Sequence, residues 1–335
     1  MPKFNLLIHP DAGYSFKFKP FNLLVERFFN VLTYQPDVVY NKNDTLVLTK
    51  SYLKHNPDAL RTGKKGKFWY EHFRKQGFKI VVDNLWEDND FLMNQFPTKH
   101  LETSLVLENI NWFWYYEAAV NCQMDQNSAY APDPRYNKYR KGKLITEYLA
   151  FMPIGRRKDF RTTLVNQLRE CNLLDTMLWS YREVHHNPLP GDAFHGHMNP
   201  LRWVNANWYD NTYFTVAAET YFDRPGVFIT EKTFKPIAYY HPFIIAGQPG
   251  TLAHLKSIGF ETYDNLFDES YDEELDHTKR MSMIINNVQS FKRAPYDKLT
   301  IKKLHHNRNH FYDMAQIQQR VIDEIITPML EYAES

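Results

Sequence analysis

The run Thr230-Glu231-Lys232 places a good helix N-cap residue ahead of an acid and a lysine. Unpaired backbone N–H groups in a first helical turn attract anions, and Lys232 adds a full positive charge, so a diphosphate fits there. Glu231 can accept two hydrogen bonds from a ribose diol, the role an acid plays at dinucleotide sites. The same residues also suit an ordinary helix start, with Glu231 favourable to the macrodipole and Lys232 in solvent. The pattern leaves both open.

Other groups carry weaker chemistry. Asp88-Asn89-Asp90 follows a predicted strand, where two hard oxygen ligands could hold a divalent cation; a solvated acidic loop is the alternative. His185, His186, His195 and His197 share one loop, but no carboxylate or cysteine lies at a ligand spacing, so a hydrogen-bonding polar loop is favoured over a metal site. His306 and His310, one helical turn apart among Lys302, Lys303 and Arg308, read as a basic face. The acids Asp264, Asp268, Glu269, Asp272, Glu273, Glu274 and Asp276 match no EF-hand spacing and read as a solvated loop and helix start. Cys122 and Cys171 are too few and too far apart for a disulfide framework, a four-cysteine zinc site or a C-x-x-C pair. No G-x-G-x-x-G, G-x-x-x-x-G-K-[ST], H-E-x-x-H or G-x-S-x-G occurs, and the chain has 12 glycines in all. Common dehydrogenases, P-loop enzymes, zincins and serine hydrolases are thereby disfavoured.

The elements that position these groups alternate in an α/β manner. Strands are predicted over Phe4–His9, Thr45–Thr49, Lys79–Asp83 and Ser104–Leu107, with helices over Phe18–Leu32, Lys65–Gln76 and Trp112–Cys122. Tyr130–Lys143 has two prolines, five basic residues and no apolar period, and reads as a linker. The second half restarts with a strand at Tyr148–Pro153, a helix at Arg157–Cys171 and a strand at Asp175–Trp179. A long polar loop follows, then a strand at Tyr213–Ala218, a helix from Glu231, a strand at Pro242–Ala246 and a helix at Thr251–Ile258. From Glu274 to about Tyr332 the pattern is helical, broken at Pro295. With 335 residues the expectation is two domains, 1–145 and 146–335. No run of 18 apolar residues and no signal peptide is visible, so a soluble cytoplasmic protein with no membrane partner is expected.

The stretch Tyr213–Phe267 resembles a known family. A strand ending at Glu219, a short loop, and Ile229-Thr230-Glu231-Lys232-Thr233-Phe234-Lys235 leading into a Pro-containing strand is similar to the donor-binding core of the α-1,3-fucosyltransferases, and more loosely of exostosin-type transferases. Phage and giant-virus glycosyltransferase-like proteins with a T-E-K-T-F-K-P-I-A pattern also resemble it. Arg157, Phe160 and Leu164 match the family's R-x-x-F-x-x-x-L after the first strand of its C-terminal domain. The resemblance implies a GT-B fold, with two Rossmann-like domains facing a cleft and a helical C-terminal end. It also implies a nucleotide-sugar donor, GDP- or UDP-linked, with no other cofactor. Arg157 and Lys232 would hold the pyrophosphate, Glu231 the ribose, and Glu219 would lie near the donor sugar. An inverting transferase needs a carboxylate to take the acceptor proton. Glu108, in Leu107-Glu108-Asn109, stands where the family has its base after an N-domain strand. Asp11, in the loop after the first strand, is the other candidate.

Charge is segregated. Residues 1–145 hold 20 basic against 15 acidic residues, +5, and residues 146–335 hold 20 against 24, −4. In the positive half, basic residues beside Trp69 and Lys138, Arg140 and Lys141 among tyrosines suit a nucleic-acid backbone and an unstacked base. A solvated face and a linker that contacts a glycan or protein is the alternative. Since the N-terminal domain is the acceptor side in the two-domain transferases that the chain resembles, the acceptor expected is a glycan or a hydroxymethylated base in phage DNA. The expected enzyme is a metal-independent glycosyltransferase. The rivals are a GT-A-like transferase with a metal on Asp88 and Asp90, and a non-catalytic nucleic-acid-binding protein.

Overall fold

The computed structural model describes residues 3–10, 14–17, 19–49, 67–84, 103–107, 119, 147–185, 189 and 206–335. The chain divides into two compact units, residues 1–116 with 314–335, and residues 117–313.

In the first unit the described strands are β1 (Asn5–Ile8), β2 (Asn30–Thr33), β3 (Thr45–Thr49), β4 (Lys79–Asp83) and β5 (Leu105–Leu107). They form a parallel sheet in the order β2-β1-β3-β4-β5, with Leu7 opposite Leu46 and Leu46 opposite Ile80. Helices α1 (Tyr14–Lys17), α2 (Lys19–Val25) and α3 (Lys67–Lys75) lie between the strands in sequence. Parallel strands covered on both faces read as continuous apolar runs, as β4 does with four of its five residues buried. Leu7, Leu46, Leu48, Ile80 and Val82 form the core with Tyr34, Phe73 and Phe78.

The second unit carries β6 (Tyr148–Ile154), α4 (Asp159–Glu170), a 3-10 turn at Leu174–Thr176, β7 (Leu178–Tyr181) and α5 (Arg182–His185). Then come α6 (Ala206–Asp210), β8 (Thr212–Ala218), α7 (Glu231–Ala238), β9 (Phe243–Ala246), α8 (Thr251–Ser257), α9 (His277–Ser290) and α10 (Lys298–Phe311). The sheet is parallel in the order β7-β6-β8-β9. Every residue of β8 and β9 is buried. Phe214 packs on Phe267 and Phe291 at 5.1 and 4.8 Å between ring centroids, and its truncation to Ala would cost roughly 3–5 kcal/mol.

Helices α11 (Met314–Val321) and α12 (Thr327–Glu334), joined by a π-helical turn at Ile322–Ile326, group with the first unit although the sequence pattern assigns them to the second domain. Lys79 Nζ donates to Ala333 O at 2.8 Å. The Tyr332 hydroxyl accepts from Ile80 N at 3.2 Å and donates to Thr103 O at 3.3 Å. The expected linker, the boundary near 145 and the helix expected at 112–122, Ala119 excepted, lie outside the described residues.

Two expected elements differ. The helix expected over 18–32 ends at Val25, and Asn30–Thr33 instead extends as β2, with Asn30 N donating to Phe4 O and Asn30 Nδ2 to Asn5 Oδ1. Pairing with β1 overrides a short run whose apolar spacing continues the helical period. The strand expected at Asp175–Trp179 starts later, at Leu178. Asp175 lies in a 3-10 turn in which Met177 N bonds Leu174 O and Thr176 Oγ1 bonds Leu173 O.

Candidate functional site

In the second sheet the chain runs from β6 outward to β7, then crosses to β8 on the other side of β6 and continues to β9. The loops leaving β6 and β8 therefore diverge. Such a switch point, at the carboxyl ends of the strands, is where open α/β sheets bind ligands. The two loops here are Gly155-Arg156-Arg157-Lys158 and Glu219 to Thr230.

Arg161 joins them. It lies in the first turn of α4 and is 4% exposed. Its guanidinium donates from Nη1 to Arg156 O at 3.1 Å, and from Nη2 to Ala218 O at 2.9 Å and Glu219 O at 2.6 Å. Burial pulls its pKa down, opposed by the carboxylates of Glu219 and Glu231.

Glu219 faces both helices. Its carbonyl takes the Arg161 bond, while its fully buried carboxylate points at the start of α7. There Oε1 accepts from Thr230 N at 3.0 Å and Thr233 Oγ1 at 2.7 Å, and Oε2 from Thr230 Oγ1 at 2.6 Å and Thr220 N at 3.3 Å. A Cβ on Gly247, after β9, would crowd Ile245 Cγ2 at 3.1 Å and meet Glu219 Cβ at an ordinary contact distance of 3.6 Å.

Thr230 is the N-cap of α7. Lys232 Nζ donates to Thr230 Oγ1 at 3.1 Å and Glu231 Oε1 at 3.0 Å, and the two side chains remain 28% and 13% exposed. Burial pushes the Glu231 carboxyl up, but Lys232 and Lys235 outweigh it and hold it below the ordinary carboxylate range.

The rim is cationic. Arg156, Arg157, Lys158 and Arg224 are exposed and form no ion pair among the described residues. Arg157 N donates to Glu183 Oε2 at 2.7 Å, leaving the guanidinium outside. Lys158 Nζ and Arg224 Cζ lie 5.6 and 4.7 Å from the centroid of the Tyr221 ring, contacts worth roughly 0.5–1 kcal/mol each at exposed sites. Gln248 Nε2 holds the carbonyls of Arg224 and Pro225. Asp159 and Asp223 are the exposed acids in these segments. Arg157, Glu219, Thr230, Glu231 and Lys232 thus all fall at the carboxyl ends of adjacent strands β6 and β8 and the helix start that follows.

Glu108 and Asp11, the two base candidates, Lys138, Arg140 and Lys141 on the acceptor side, and the alternative metal pair Asp88 and Asp90 lie outside the described residues. The backbone of Trp69 lies in α3. Of the loop histidines only His185 is described; its Nε2 is 3.3 Å from Arg169 Nη2. His306 and His310 bond Gly259 O and Ile258 O through Nε2, at the C-terminal end of α8. Gly259 must be glycine there, with φ of 95° and a Cβ position 2.7 Å from the His310 ring. Among the described residues no three His, Cys, Asp or Glu side chains come together as a metal site. The acidic cluster is structural: Asp272 accepts from Leu252 N and Ala253 N, Asp268 and Asp276 cap helix starts, Glu269 pairs with Lys256, and Asp264 with Lys303.

Sequence reasoning missed Arg161 and Arg280. Both stand where an apolar residue is expected, Arg161 in the buried series with Leu164, Val165 and Leu168, and Arg280 beside Met281, Ile284 and Ile285. A charged residue on a buried stripe was the available signal.

No protein-family model matches the sequence, and neither does any curated protein. Two crystal structures of α1,3-fucosyltransferase are similar to the chain. One, determined with GDP-fucose, is 12% identical over 93% of this chain and 91% of that one, with a TM-score of 0.39. The other is 11% identical over 93% and 90%, also with a TM-score of 0.39. Among the described residues no helix is long and apolar enough to cross a membrane.

Proposed function

We propose that the second unit binds the diphosphate of a nucleotide-sugar and that the protein is an inverting, metal-independent glycosyltransferase of the GT-B type. The observation that carries this reading is the switch point. Its two loops are tied together by one buried guanidinium, and they and the start of α7 present Arg156, Arg157, Lys158, Arg224 and Lys232 with Glu231 among them. A leaving diphosphate needs this charge where bond breaking develops it. Arg157 and Lys232 take the pyrophosphate and Glu231 the ribose.

In the reaction an acceptor hydroxyl oxygen bonds the anomeric carbon as the carbon–oxygen bond to phosphate breaks. The bonding pair leaves with the nucleoside diphosphate, and the hydroxyl proton passes to a carboxylate. Glu108 or Asp11 supplies that carboxylate. Lys138, Arg140, Lys141 and Trp69 serve an acceptor that is a glycan or a hydroxymethylated DNA base.

Thermal-shift titration with GDP- and UDP-sugars tests the reading. Stabilisation by one nucleotide series is expected, and none by any nucleoside diphosphate would sink it. Lys232→Ala removes a charge-assisted contact of roughly 1.5–3 kcal/mol, so binding should weaken about 10- to 150-fold with the melting temperature of the free protein little changed. A non-catalytic nucleic-acid binder would be indifferent to that change.

A further inference from the structure

We infer that Arg161 is a positioning residue that sets the spacing of the two switch-point loops, and with it the reach of Arg157 and Lys232 to a single diphosphate. This rests on the reading of that edge as a diphosphate site. Arg161 is buried on the apolar stripe of α4, where a leucine would favour folding without the cost of taking a guanidinium out of water. What an arginine does there that no apolar residue can is donate to carbonyls on two separate chain segments. Arg156 O belongs to the loop after β6, and Ala218 O and Glu219 O close β8. Its Nε finds no hydrogen-bond partner among the described residues, so the group is placed by those three carbonyls rather than by a network of its own.

The β8–α7 loop is also fixed from its other side. The Phe160 ring stacks on Phe222 at 5.2 Å and 9°. The Arg161 guanidinium lies 5.6 Å from the Phe160 centroid, and that of Arg280 lies 4.3 Å from the Phe222 centroid. Arg280 donates to Glu274 O and to Phe222 O. Two arginines therefore bracket a two-ring stack and hold the loop at residues 219 and 222. Of the two, only Arg161 also grips the loop after β6. A lysine cannot replace it, because one ammonium cannot fork across carbonyls in fixed planar geometry.

The test compares wild type, Arg161→Gln, Arg161→Lys and a control, Asn307→Ala. Asn307 clamps Glu261 and Tyr263, after the C-terminal end of α8 and away from the switch point. Melting temperature, affinity for GDP, UDP and inorganic pyrophosphate by titration calorimetry, and amide exchange over 155–158 and 218–222 are measured on each. Arg161→Gln should weaken the nucleoside diphosphate at least tenfold, with Arg161→Lys intermediate. Asn307→Ala should lower the melting temperature while leaving affinity within twofold. In wild type the two segments should exchange in one common opening, and both should exchange faster in the Arg161 variants. Affinity within twofold of wild type in Arg161→Gln, or unlinked exchange of the two segments, would overturn the inference. If Arg161→Gln does not fold, Arg161→Lys and the wild-type exchange decide it. If wild type binds none of the three probes, the diphosphate reading fails, and exchange alone judges the tether.

Discussion

The carboxylate of Glu219 offers the most quantitative test of the local structure. It is fully buried and gathers Thr230 N, Thr230 Oγ1 and Thr233 Oγ1 within 3.0 Å, with Thr220 N at 3.3 Å. Each hydrogen bond to a charged group is worth roughly 1.5–3 kcal/mol, and an abandoned buried donor costs a comparable amount. In Glu219→Ala the two threonine hydroxyls can turn to nearby carbonyls, but Thr230 N cannot, so the net loss is about 3–5 kcal/mol. At roughly 2–4 °C per kcal/mol for a domain of this size, the melting temperature should fall by about 10 °C. Glu219→Gln keeps one acceptor oxygen of the same shape and should cost about 1–2 kcal/mol. Urea titration followed by far-UV circular dichroism measures both. In a double-mutant cycle, Glu219→Gln with Thr233→Val should be coupled by about 1 kcal/mol. A loss below about 1 kcal/mol in Glu219→Ala, or equal losses in the Ala and Gln variants, would refute the view that this carboxylate pins the start of α7.

Tyr332→Phe leaves Ile80 N without its hydroxyl acceptor and should destabilise the first unit by about 1–2 kcal/mol in urea titration; removal of residues 314–335 should prevent that unit from folding while the second retains its cooperative transition. Asp297 caps α10 through Thr300 N at 2.7 Å, and that bond together with the Thr300 hydroxyl holds its carboxyl below the ordinary range. Because its folded pKa is depressed, its stabilisation is present above the unfolded value and lost as pH falls through the folded one. Wild type should therefore exceed Asp297→Ala by about 1 kcal/mol at pH 7, with the gap closing below pH about 4. If Arg157 and Lys232 neutralise a leaving diphosphate as proposed, turnover should survive EDTA; loss with EDTA and recovery with Mn²⁺ would favour the Asp88 and Asp90 alternative.

The sequence made the sheet interiors legible, because a strand buried on both faces must be apolar throughout. Thr45–Thr49 and Lys79–Asp83 coincide with the predicted strands for that reason. Asn30–Thr33 was not legible: Asn30, Leu32 and Thr33 are exposed, and its strand character comes from partners on β1 that local pattern does not encode. The helical character of 314–334 was plain from its periodicity. Its destination was not, since an amphipathic stripe says that a face is buried and not what covers it. At the candidate site the start of α7 was visible through its cap residue. The arginine tie across the switch point was hidden, because its three acceptors are backbone carbonyls from Arg156 and from residues 218–219, which no side-chain motif can show.

The return of α11 and α12 to the first unit gives this chain an unusual order of assembly. A ribosome working at about 5–20 residues per second needs roughly 10–40 s to pass through residues 117–313. During that time β4 has emerged, while the tyrosine hydroxyl and carbonyl that Ile80 and Lys79 use have yet to be synthesised. The second unit can complete its core during that interval. The first unit, although translated earlier, can make these bonds only after the whole of the second has been synthesised.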